Sequence, residues 1–105
     1  MEQDALQQLQ HWYRAQCNGD WEHTYGLEIN TLDNPGWSLA IDLTGTSLED
    51  IPFSKVTRGA IAADITENQD WLVCEVREKV FTGAAGPYSL TALISTFLTW
   101  AGKHA

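Results

Sequence analysis

Cysteine, basic residues and long apolar runs are all scarce in this chain, and each scarcity excludes something. Only Cys17 and Cys74 occur among 105 residues, too few for a disulfide framework. Both are read as reduced thiols packed as small hydrophobes. No apolar run approaches the roughly 20 residues of a membrane span. The opening MEQDALQQLQ carries acids where a secretion signal has a basic start and an apolar stretch. The expectation is a cytoplasmic protein with no membrane partner. Lys and Arg number six against fourteen Asp and Glu, a formal net charge of −8. A field of that sign repels nucleic acid, whose phosphates need cations, and it captures basic partners. The glycines at 83–86 come without GxGxxG or a P-loop lysine, so they give no support to phosphate binding.

What is present argues for one folded domain over 1–105. Hydrophobic residues make up 44% of the chain and five are tryptophan, which argues against disorder. Leu6, Leu9, Trp12 or Tyr13, and Ala15 or Gln16 recur at helical spacing. Asp4 is the expected cap, and Asn18-Gly19 the expected stop. Alternating apolar residues then predict two antiparallel strands, at about 22–31 and 37–44, joined by a type II turn at 34–37 with Pro35 and Gly36 in its centre. Residues 54–58 and 60–65 have mixed strand character, with Gly59 as a bulge between them, and 67–70 is a polar turn. Residues 71–77 read as a strand, Glu78-Lys79 as a turn and 80–82 as a short last strand. Residues 83–87 read as a loop. A final helix capped by Ser89 runs to about 101, with Leu90, Leu93, Ile94, Phe97, Leu98 and Ala101 on its inner face. The sum is an α+β fold: an antiparallel sheet of about four or five strands, with the N- and C-terminal helices packed on one face.

Strand alternation divides the remaining side chains. Glu22, Glu28, Asp42 and Glu75 are expected on the face away from the helices, beside Trp71. Glu49 and Asp50 are expected in the loop that follows the second strand. A surface of acids with an aromatic anchor suits protein binding. Asp20, Glu22 and His23 also cluster in sequence, which leaves open a small metal-dependent or ligand-binding enzyme. Against that, neighbours on a strand point to opposite faces, and a metal needs three or four convergent ligands. No catalytic residue, cofactor or metal is assigned. An exposed strand edge would support a homodimer.

The pieces HWYRAQCNGDWEHTYG at 11–26, TLDNPGWSLAIDL at 31–43, DWLVCEV at 70–76 and FLTWA at 97–101 together resemble the immunity protein 53 family of bacterial polymorphic toxin systems. The more specific are WEH (Trp21, His23) and PGW (Pro35, Gly36, Trp37). The resemblance implies a cytoplasmic antidote, not an enzyme, that occludes one cognate toxin domain stoichiometrically. The acidic balance then suits a basic toxin such as a nuclease. Trp21, His23, Pro35, Gly36 and Trp37 are expected to be structural, stacking across the hairpin in the case of the two tryptophans. Glu22, Glu28, Asp42, Glu49, Asp50, Trp71 and Glu75 are the expected toxin contacts.

Overall fold

A computed structural model describes residues 4–33, 35–58 and 71–104. The strand expected at 60–65, the bulge at Gly59, the turn at 67–70 and Asn34 lie outside them. Helix α1 spans Ala5–Gln16 and starts in a capping box: the Asp4 carboxylate accepts the Gln7 backbone N–H at 2.8 Å, and Gln7 Oε1 accepts that of Asp4. Gly19 then turns the chain with φ +94°, as only glycine does without strain. Helix α2, Trp21–Thr24, is a single turn. Strands β1 (Leu27–Leu32), β2 (Gly36–Asp42), β3 (Val56–Arg58), β4 (Leu72–Arg77) and β5 (Val80–Ala85) precede helix α3, Leu90–His104.

The five strands form one antiparallel sheet in the order β1-β2-β5-β4-β3, so β1 and β3 are its edges. In register, Leu27, Ile29, Leu39, Ile41, Leu72, Cys74, Val76 and Phe81 share one face. Helix α3 lays Leu93, Ile94, Phe97, Trp100 and Ala101 on that face, and α1 packs chiefly against α3 through Leu9 and Trp12. Glu28, Ser38, Ala40, Asp42, Val73, Glu75, Thr82 and Ala84 share the other face.

Four sequence expectations need correction. The 22–31 strand begins only at Leu27, because Trp21–Thr24 is helical. The loop expected at 83–87 starts after Ala85: Gly83 lies inside β5, where a Cβ would collide with Leu93 Cδ1, so this glycine is what lets α3 approach. Gly36 has no positive φ and opens β2 opposite Leu32, so the type II turn is absent. Its glycine is demanded by the Ala85 carbonyl oxygen, which a Cβ would strike. The inner face of α3 includes Trp100, whose indole N–H donates to the Pro52 carbonyl at 3.1 Å and ties the 43–55 crossover under the helix.

Candidate protein-binding surface

Trp21 organises one end of the sheet. It is buried, its indole N–H donates to the Thr44 carbonyl at 2.8 Å, and its ring packs edge-on to Trp12 and Tyr13 and beside Tyr25. Gly45, at φ +82°, gives the ring room. The Leu43 N–H donates to the Lys79 carbonyl. Helix α2, the 43–50 turn and the β4–β5 turn therefore meet in one corner. Trp37 is at the opposite end, donating to the Pro87 carbonyl at 3.0 Å. The expected stacking of Trp21 on Trp37 is thus corrected: hairpin length separates them. Pro35 and His23 are both exposed, and His23 closes the α2 turn through its backbone N–H to the Asp20 carbonyl.

The expected contact acids divide by what their carboxylates already do. Both oxygens of Glu22 are engaged, accepting the Asn18 and Gly19 N–H groups at 2.9 and 2.8 Å. Its own backbone N–H, together with those two, holds its carboxyl below the ordinary 4.5. Asp42 accepts the Gly26 N–H at 3.0 Å. Glu49 pairs with Lys79 at 2.7 Å and accepts the Gly45 N–H; these partners lower its carboxyl too. Glu28 and Asp50 are exposed, while Glu75 is half-buried beside a shallow hollow of about 170 Å³ bounded by Val73, Thr82 and Ala84. Trp71 is corrected: it is 5% exposed and cannot anchor a partner as it stands. Trp71 immediately precedes β4, which runs between β3 and β5, and its carbonyl accepts the Gly86 N–H at 3.1 Å. Among the described residues its buried indole N–H has no hydrogen-bond partner.

Asp20, Glu22 and His23 do not converge, because Glu22 faces back to its own loop. Among the described residues no group of three His, Cys, Asp or Glu could hold a metal. Burial pushes the Cys74 thiol up to about 11, against the pull of Arg58, so it is no nucleophile at neutral pH. No described helix is long and apolar enough to cross a membrane.

Two features escaped the sequence reading. An apolar groove of about 290 Å³ runs between α1 and β1, lined by Leu6, Leu9, Gln10, Tyr13, Gly26, Leu27 and Ile29. Leu6 and Tyr13 in it are 53% and 38% exposed. The 6–10–13 spacing on α1 was the available signal: it is a second stripe beside that of buried Leu9 and half-buried Trp12. The other feature is a local excess of acid among the described residues. Asp20, Glu22, Asp42, Glu49, Asp50 and Glu78 lie on or beside α2, the 43–50 turn and the β4–β5 turn, together with Arg77 and Lys79. A larger hollow of about 640 Å³ at the β3 edge is lined by Arg58 and Lys103 instead.

Comparison with known proteins gives one finding. The family model described as immunity protein 53 matches residues 6–102. No curated protein and no solved structure matches the chain.

Proposed function

The chain belongs to the immunity protein 53 family, and from that premise we propose that it is a cytoplasmic antidote. It binds one cognate toxin domain and blocks it by stoichiometric occlusion, with no covalent chemistry of its own. The observation that carries this reading is the crowding of acids at the α2 corner and the β1 edge. A net charge of −8 spread evenly would aid solubility alone. The described acids at this corner outnumber Arg77 and Lys79 there, and that local excess steers a basic surface to it. A nuclease is such a surface, since its substrate groove is built to hold phosphates, and carboxylates can take their place.

Not all the acids are equal in this role. Glu22, Asp42 and Glu49 shape the corner by accepting the chain's own N–H groups and Lys79. Of the expected contact acids, Glu28 and Asp50 are the exposed ones left to face a partner. Co-expression with a candidate cognate toxin domain, chosen from any toxin gene found next to this one, tests the proposal. Growth should be restored and a one-to-one complex should purify. Glu28→Lys should slow association and flatten its salt dependence, with melting unchanged. A toxin domain that neither binds the chain nor loses its toxicity refutes the reading.

A further inference from the structure

We propose that β1 is the docking edge, and that the toxin domain adds a sixth strand to it, alternating apolar with basic side chains. This rests on the antidote reading above and names the chemistry of its contact.

The sheet order leaves the outer side of β1 without a neighbour among the described strands. Register shows which backbone groups are free. The Asp42 N–H donates to the Gly26 carbonyl, so 26 and 42 are a hydrogen-bonded pair of the antiparallel ladder. Such pairs alternate. Glu28, Asn30 and Leu32 therefore bond β2, while the N–H and C=O groups of Leu27, Ile29 and Thr31 point outward. Natural edges are usually guarded by proline, lysine or a bulge. Strand β1, LEINTL, has no proline or lysine, and its pairing with β2 runs without a bulge.

Each face of the missing strand has a defined environment. On the helix side the groove between α1 and β1 offers Leu6, Tyr13, Leu27 and Ile29. On the other side Glu28 and Asn30 are exposed. An added strand has period two, so its apolar residues would enter the groove and its intervening Lys or Arg residues would meet Glu28. Charge also selects against a second copy of this chain as the occupant. Pairing β1 with itself would set the acidic corner and Glu28 of one copy close to those of the other, and like charges repel.

Amide exchange on the wild-type chain, free and bound to the purified toxin domain, reads the ladder directly. In the free chain the Glu28 and Asn30 amides should exchange slowly and those of Leu27, Ile29 and Thr31 fast. On binding, the latter three should slow by at least roughly tenfold, the scale of one backbone hydrogen bond. Thr31→Pro removes an outward N–H and no internal bond. It should weaken binding by a similar factor while circular dichroism and melting stay near wild type. A complex that forms while those three amides still exchange as in the free chain overturns the strand addition and leaves the antidote reading standing. A free chain that dimerises through β1, becoming monomeric in Thr31→Pro, also overturns it. Absence of any complex removes both.

Discussion

Single side chains in this protein do two kinds of work that composition does not separate. Glu22 and Glu28 are both acids in the N-terminal third, yet one carboxylate is bound by the chain's own N–H groups and the other is bare. The difference is measurable by pH. Glu22 and Glu49 are both lowered from 4.5, Glu22 by its own and neighbouring N–H groups and Glu49 first by Lys79. A carboxyl that ionises more readily when folded stabilises above its unfolded value, and loses that contribution as pH falls through the folded one. The melting temperature should therefore fall as pH drops below about 4.5. In Glu22→Gln that decline should be shallower and the melting temperature at neutral pH lower. A decline of equal slope would show that the Asn18–Glu22 contacts do not form in solution. Lys79, raised first by its bond to Glu49, acts in the opposite sense: its contribution is whole at neutral pH and fades above its ordinary 10.5.

Among the elements, β5 and α3 show how small residues set packing. Gly83 lies where α3 comes closest, with Leu93 fully buried against it. Gly83→Ala should cost about 1–3 kcal/mol in urea denaturation, because overpacking a close-packed core displaces side chains and backbone. A neutral change would mean that the helix yields. The β4–β5 turn is the converse case. Glu78 and Lys79 both have positive φ, at 50° and 64°, in a two-residue hairpin where Asn-Gly is the comfortable pair. Lys79 is held there by Glu49 and by the Leu43 N–H. Replacing Glu78 with Asn should raise stability by roughly 0.5–1 kcal/mol, read in the same denaturation experiment.

At the scale of the whole molecule, charge is unevenly placed among the described residues, with acids outnumbering Arg77 and Lys79 at the α2 corner. Arg58 and Lys103 border the hollow at the β3 edge. This placement makes a prediction about distance. Lys103→Glu, far from β1, should leave the association rate with the toxin domain within about twofold at physiological salt, because screening confines the effect of an exposed charge to about 8 Å. Stopped-flow association beside Glu28→Lys separates the two ends. Equal slowing by both would mean that net charge, not its placement, steers the encounter.

Much of this was already determined by the order of residues. Period-two alternation in 27–32 and 36–42 and the helical stripes of 5–16 and 90–104 dictate which faces are apolar, and burial of those faces dictates a helix-covered antiparallel sheet. The family motifs were equally legible. Tertiary structure alone decided the rest, because it depends on atoms distant in sequence. It placed Gly83 in a strand beneath Leu93 and sealed Trp71 at the end of β4. It bound Glu22, Asp42 and Glu49 to their own backbone surroundings, and it left β1 at the sheet's edge beside an apolar groove. An alternation pattern records which way a side chain points; only the packed chain settles what stands opposite it.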